Sequence, residues 1–543
     1  MKLNIKKSIS LILSIIMLVS VFSVVSFAGA DPTDIQIITA TNKADLENLD
    51  RDIPVVEIVG LGETLYKGLL AYDEENYQQI FAPTADMILK GIGLGGIELA
   101  SGLINDDYDK VADALAKAVI PIFGDLKCDE NGVPDPNTGI KDKNRAVKKS
   151  EYGYDNSYTF YYDWRLDMHT LSVMLDEYIN KVLEVTGEKQ VVLTAFSMGN
   201  CILTTYLYEY YYNNPDYASR NHIAACIYIS GAMNGVACCG EPFSGNLSLD
   251  AESVMRMVSD IIVKDGITGA LYTALEALYT AGFVKDITDF GNKIIDATMD
   301  KLVDAGAMDS LGTIPGFYAL MSYDDYYRAE EFVFNTPEKR EQYKGLIEKN
   351  RYYHECVQKI NDEIIEDTIN NGIKVGIISE YGYTMTPTSV DNDRMADGVI
   401  TTECESFGAT CAPVDGILGK DYVQAVDCIC GNNHISPDLQ IDASTCRFAD
   451  ITWFIKNIRH SSAAGYLKDL VDLIAYSEET VDVFTFADFP QFMIKKADDS
   501  GIEAQTAENV NPDEILPFEQ TTFIARIIAF FKNLIAFFKN LVK

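Results

Sequence analysis

Residues 191–199, Val-Val-Leu-Thr-Ala-Phe-Ser-Met-Gly, restrict this chain more than any other stretch. β-favouring residues run into a small residue, a serine and a glycine, and a helical run follows from Cys201 to Tyr212. That order makes a strand, a sharp turn and a helix with the serine at the apex. Strand and helix crowd each other there, so the positions two before and two after the serine must be small. Ala195 and Gly199 meet that need. The turn holds a hydroxyl above the C-terminal edge of a sheet, where a histidine can take its proton. An ordinary strand–helix junction with a serine N-cap shares these local residues, so the rest of the chain has to discriminate.

Further strand candidates are Ile53–Val59, Tyr158–Tyr162, Ile223–Ser230, Ile373–Ser379 and Tyr422–Ile429. Helical patterns lie between them, from about Glu74 to Ile122, from Met168 to Val185 and from Ala449 to Ile458. Strands alternating with helices imply an α/β fold with a mostly parallel sheet covered on both faces. Ligands on such sheets bind beyond the carboxyl ends of the strands. Pro242 to about Asn370 is largely helical and too long for a connection between neighbouring strands, which predicts an inserted cap. The glycine-rich run Gly91–Ala100 lacks the pattern of a nucleotide loop. Cys128–Asn144 carries carboxylates and turn residues but not the acid spacing of an EF-hand, so a surface loop is expected and no metal or cofactor is called for.

The 543 residues are 48% hydrophobic, enough for a large core, and the formal net charge is −37 from 81 acidic and 44 basic residues. That balance argues against nucleic acid as a partner. Lys2, Lys6 and Lys7, the apolar run Ser8–Phe27 and Ala28-Gly29-Ala30 form a secretory signal with its cleavage site, predicting an exported protein, secreted or held at the cell surface. Eleven cysteines remain, at 128, 201, 226, 238, 239, 356, 404, 411, 428, 430 and 446. Export permits disulfides, and the odd number leaves at least one thiol unpaired within the chain. Cys404 and Cys411 could close a small loop, whereas Cys201 and Cys226 read as core residues.

Ser197 needs a base, and the chain has only five histidines. His169 belongs to an earlier strand–helix unit, His222 stands at the start of a strand, His354 lies in a cap helix and His460 follows the last core helix. His434 lies in a polar loop just after a strand, and is the expected base because the order serine, acid, histidine then holds. Asp397, in Ala396-Asp397-Gly398-Val399-Ile400, is the expected acid; Glu380, Asp391 and Asp393 are its rivals. An oxyanion needs preorganised donors. The N–H groups of Met198, just after the serine, and of Leu61, in the Gly60-Leu61-Gly62 loop, are the candidates.

These residues resemble the lecithin:cholesterol acyltransferase family, a branch of the α/β-hydrolases. Pro54–Thr64 is similar to its early strand and oxyanion loop, Tyr162-Asp163-Trp164-Arg165-Leu166 to its most specific motif, Val191–Asn200 to its serine elbow and Ala396–Val399 to its acid loop. The resemblance implies Ser197, Asp397 and His434 as triad, Leu61 and Met198 as oxyanion donors, and transfer or hydrolysis of lipid acyl chains through an acyl-serine without a metal. The chain departs from the pattern at Ala195, Phe196, Asn200 and Glu63-Thr64. The expected organisation is a signal peptide at 1–30, a polar leader at 31–52, an α/β-hydrolase core at 53–240 and 371–480 around a cap at 241–370, an acidic linker at 481–520 and a C-terminal helix at 521–543. In that tail, Ile528–Leu534 repeats as Ile535–Leu541, with apolar residues on one face and lysine and asparagine on the other, the pattern of a helix lying in a membrane interface. The expected partners are a lipid or other ester and, through the tail, a membrane or cell surface. A non-catalytic binding protein on the same scaffold, or a non-lipid esterase or peptidase, are the competing expectations.

Overall fold

In a computed structural model the described residues are 43–141, 147, 156–259, 279, 282–304, 306, 308–386, 388–390, 392–414, 416–427, 431–496, 498, 500–506 and 509–510. The signal sequence, the tail helix, Cys428, Cys430 and Asp391 lie outside them.

Eight strands form the central sheet: β1 (Val55–Ile58), β2 (Ser157–Phe160), β3 (Val191–Phe196), β4 (Ile223–Ile229), β5 (Lys374–Tyr381), β6 (Thr452–Lys456), β7 (Phe492–Lys495) and β8 (Ile502–Ala504). Their spatial order is β8-β7-β6-β5-β4-β3-β1-β2. Every neighbouring pair is parallel except β7–β8. The chain is therefore an α/β protein. Alternation along each strand separates two cores. Val56, Ile58, Leu193, Ala195, Cys226 and Tyr228 face one side and pack with helices α3 (Met168–Thr186) and α4 (Met198–Leu207). Val55, Val192, Ala225, Ile227, Ile378 and Ile455 face the other, against the helix Lys468–Tyr476. Because both faces are covered, β3 and β4 read as nearly unbroken apolar runs. On α3, Leu171, Leu175, Tyr178, Ile179 and Val182 are buried at helical spacing, after an N-cap in which Asp167 accepts from the Thr170 N–H.

Between β4 and β5 the described residues are mostly helical. Helices Ala251–Ser259, Phe283–Asp304, Tyr323–Val333 and Lys344–Tyr352 lie there, followed by Asn361–Asn370. The last is a layer helix of the sheet, since Ile364 and Ile365 join the core of β3 and β4. A second helical unit follows β1: the hairpin of α1 (Ala85–Asn105) and α2 (Tyr108–Phe123) packs Leu99, Leu103 and Val111 on Ile294 of the helix Phe283–Asp304. Among the described residues no helix is long and apolar enough to cross a membrane.

Three sequence expectations are corrected. Ala449–Ile458 is not a helix: Thr452–Lys456 is strand β6. Residues 422–427 form no strand. The stretch 481–520 is not simply a linker, because it supplies β7 and β8 at the sheet edge.

A buried charge ties this edge together. Lys456 Nζ stands 2.6 Å from Asp438 Oδ2, and the Tyr381 hydroxyl donates to the same oxygen at 3.0 Å. Burial alone would push the Asp438 carboxyl up, but Lys456 and the hydrogen bonds of Ser436 and Gln440 outweigh it and hold the carboxyl below its ordinary value. A depressed carboxyl contributes stability above its unfolded pKa, and that stability is lost as pH falls through the folded value. Asp438→Asn is expected to lower unfolding free energy by about 2 kcal/mol at pH 7. The gap to the natural protein should shrink below about pH 4, where the unfolded carboxyl titrates. Urea unfolding across that range checks both parts.

Candidate active site

The strand–turn–helix read from residues 191–199 is present, with Ser197 between β3 and α4 at φ +52° and ψ −122°. A non-glycine residue in that region carries strain that its surroundings must impose. Here they do. The Ser197 N–H donates to Ile229 O at 3.1 Å, and the Asn200 side-chain amide donates to Ser197 O at 3.1 Å and Ile229 O at 2.9 Å. Asn200 thus replaces the usual glycine with a side chain that laces the turn to the end of β4. Gly199 has no such freedom. A Cβ there would stand 2.8 Å from Val59 O and closer still to Ile58 O. Gly60 is equally constrained, with its missing Cβ 2.9 Å from Ser197 Cβ. The loop after β1 therefore runs directly beside the serine.

Ser197 and Asp397 are brought together through His460. His460 Nε2 is 2.9 Å from Ser197 Oγ, and His460 Nδ1 is 2.5 Å from Asp397 Oδ2. The aspartate fixes the tautomer: Nδ1–H donates to the carboxylate, leaving Nε2 to accept the serine proton. Asp397 is itself held by the N–H groups of Val399 and Ile400, both 2.8 Å from Oδ1. The His460 N–H closes the arrangement by donating to Asp397 O at 3.1 Å. Asp397 is fully buried, and Ser197 and His460 are at most 8% exposed. Burial works to raise the Asp397 carboxyl, but the facing His460 and the donated hydrogen bonds prevail and keep it below the usual range. Phe196, which stands where the family has histidine, packs its ring 4.9 Å from the imidazole of His460.

His434 is not part of this constellation, which corrects the sequence expectation. Its Nδ1 is bonded to Gln491 Oε1 at 2.8 Å, its ring packs on Phe484, and Asp450 lies 3.7 Å from its Nε2. Gln491 immediately precedes β7 and Asp450 stands two residues before β6, so His434 lies at the amino ends of parallel strands. Ser197 follows the carboxyl end of β3, on the opposite edge. His460 follows the carboxyl end of β6 by four residues. Its signal was the β-branched and aromatic content of Thr452-Trp453-Phe454-Ile455. Of the rival acids, Glu380 accepts from Ser230 Oγ at 2.6 Å, and Asp393 lends its backbone carbonyl to Val414.

Met198 opens α4, so its N–H has no acceptor within the helix. Leu61 lies in the loop beside Ser197, and the motif at 162–165 braces that loop. The Tyr162 hydroxyl donates to Val59 O at 2.7 Å, and Trp164 Nε1–H donates to Glu63 O at 3.2 Å. The Arg165 guanidinium grips Asp163 through two bonds, at 2.9 and 2.6 Å, and fixes the turn that carries both aromatics. Trp164 is wedged between Phe81 and Phe317, whose ring centroids are 4.8 and 5.3 Å away. The cap therefore reaches the same brace.

Asp397, Glu405 and His460 offer donor atoms within 4.8 Å of one another. Both His460 nitrogens are already engaged, so a cation there would have to displace Ser197 or Asp397. In the loop at 128–144, Asp129 Oδ1 accepts from the N–H groups of Asn131 and Val133, which closes a local turn. The nine described cysteines are free thiols, so no bond joins Cys404 to Cys411.

Residues 145–239 match the family model for lecithin:cholesterol acyltransferase. Over that segment the chain is similar to lecithin:cholesterol acyltransferase. The matched segment holds the tyrosine–aspartate–tryptophan–arginine motif and the serine turn, and Asp397 and His460 lie beyond it. None of the curated proteins matches it. Three chains of known structure do. One belongs to the Tle4–Tli4 complex, at a TM-score of 0.27 and 7% identity over 60% of this chain and 75% of that one.

Proposed function

We propose that this chain is an exported serine acyl hydrolase or O-acyltransferase that acts on lipid esters through an acyl-serine intermediate. The observation that carries the reading is the hydrogen-bonded line Ser197–His460–Asp397. In this reading His460 takes the Ser197 proton as the hydroxyl attacks the ester carbonyl, and Asp397 stabilises the imidazolium that forms. The N–H groups of Met198 and Leu61 receive the oxyanion. His460 then protonates the departing alcohol, and water or a second alcohol, deprotonated by His460, releases the acyl group. Hydrolysis is the default where water is abundant. The family likeness supports lipid esters as the substrate class, the N-terminal signal supports export, and the repeat at 528–541 supports contact with a membrane surface.

The test is hydrolysis of p-nitrophenyl esters of increasing chain length by the full chain and by Ser197→Ala. The expected result is turnover that rises with chain length and is lost in the variant. Adding lyso-lipid or sterol then separates transfer from hydrolysis. Turnover confined to short chains would move the assignment to a non-lipid esterase, and no Ser197-dependent turnover at all to a binding protein.

A further inference from the structure

The acid of the triad has a neighbour that the chemistry above does not use. Glu405 ends the short helix Thr402–Glu405 and is completely buried. Its Oε2 is fully engaged, accepting from Ser379 Oγ at 2.9 Å and from the Glu380 N–H at 2.8 Å. Its Oε1 is buried and accepts from no group among the described residues. The Asp397 carboxylate lies within 4.8 Å. An ionised Glu405 would leave Oε1 bare and would set two negative charges against each other in a fully buried site. A proton on Oε1 removes both problems, because it turns a repulsive contact into a hydrogen bond to Asp397.

We propose that Glu405 is a positioning residue of this site, a neutral carboxylic acid whose proton is donated in a hydrogen bond to Asp397, orienting the group that orients His460. The proposal rests on the triad reading given above. The titratable groups that face Glu405 are Asp397 from the acid loop, Glu380 from the end of β5 and, beyond Asp397, His460. Arg459, next to His460, has its guanidinium over the ring of Tyr383 at 4.2 Å. Burial, then Asp397 and Glu380, push the Glu405 carboxyl well above its ordinary range. Glu380, with its own Oε1 bare and its Oε2 on Ser230, is pushed the same way by burial and by Asp397. Of the three buried acids only Asp397 is held ionised, because it alone faces the imidazole. A donor from Glu405 spreads the Asp397 charge, which weakens its pull on the Nδ1 proton and keeps that proton on His460.

Two variants and one spectrum test this. Glu405→Gln keeps the shape and can donate through its amide. It is expected to lower kcat by less than about tenfold and to leave the acid limb of the kcat/KM profile in place. Glu405→Leu removes the donor. Its kcat is expected to fall about 10- to 100-fold at nearly constant KM, with the acid limb moved to higher pH as the undiluted Asp397 charge raises His460. If Glu405→Gln instead moves the acid limb to lower pH, a negative charge has been removed and the proposal is overturned. Equal losses in both variants with no shift in either limb also overturn it, by leaving only a packing role. Infrared difference spectra of Ser197→Ala against Ser197→Ala/Glu405→Gln read the proton without turnover: a protonated carboxyl C=O band must vanish in the second protein. That band reports on Glu405 even if the chain hydrolyses no ester, so failure of the serine reading and failure of this proposal are distinguishable. A spectrum without the change refutes the proposal alone.

Discussion

Replacing His460 by alanine is expected to lower kcat/KM for ester hydrolysis by about 10³-fold or more, and adding Ser197→Ala should cost little further, because the members of such a unit fail together. The expectation follows from position. His460 Nε2 is 2.9 Å from the hydroxyl it has to deprotonate, while its other nitrogen is held by a buried aspartate. His434→Ala supplies the contrast. That side chain is also completely buried, but its bond goes to Gln491 at the amino end of β7. Its loss should cost about 1–3 kcal/mol of stability through the stranded Gln491 carbonyl, with kcat within a few-fold of the natural protein. Steady-state kinetics and urea unfolding on the two variants give opposite pairs of results. Loss of kcat in a folded His434→Ala, with His460→Ala active, would reverse the assignment.

The two histidines also show where sequence reasoning reaches and where it stops. The serine turn was legible because its constraints are local: a strand run, a small residue on either side and a glycine that nothing else can replace. Asp397 was legible for a similar reason, since its loop follows β5, a strand whose apolar run is unambiguous. The histidine depended on naming the next strand, and that step failed. Ile451, Trp453, Phe454, Ile455 and Ile458 make a short apolar cluster that periodicity alone cannot assign to helix or strand. Its β-branched and aromatic content favoured the strand. Reading it as helix left the end of the candidate strand Tyr422–Ile429 as the place for the histidine, which pointed to His434. β7 and β8 were hidden by composition, because four-residue and three-residue strands inside an acidic stretch bury too few positions to announce themselves. The departures from the family pattern had no sequence-level explanation, and the structure supplies two: Asn200 laces the strained serine to β4, and Phe196 backs the imidazole.

The same geometry makes Gly199→Ala a strongly damaging small substitution at the site. By local preference it should help, since alanine in a helix is favoured over glycine by about 1 kcal/mol. Gly93 is the matched control: it is helical, and nothing lies within 4 Å of the Cβ it lacks. Gly93→Ala is expected to stabilise the protein by about 0.5–1 kcal/mol. At Gly199 the new carbon meets two backbone carbonyls, 2.8 Å from Val59 O and nearer to Ile58 O, where ordinary contact begins at 3.4 Å. Neither carbonyl belongs to a side chain that can rotate away. Relief requires α4 to lift from β1, and three features move with it. Met198 carries one oxyanion donor, Ser197 precedes it, and Val59 O is the acceptor that the Tyr162 hydroxyl uses to hold the loop containing Leu61. The expected result is a loss of about 2–4 kcal/mol of stability, in the range of overpacked cores and strained backbone. In the fraction that folds, kcat should fall about 100-fold or more, because a shift of about 1 Å in positioned groups has effects of that size. Opposite signs of the stability change at Gly93 and Gly199 would tie the loss to the crowding of helix and strand around the serine, whereas a Gly199→Ala protein with natural stability and kcat would mean that the strand and helix do not meet as closely as the geometry requires.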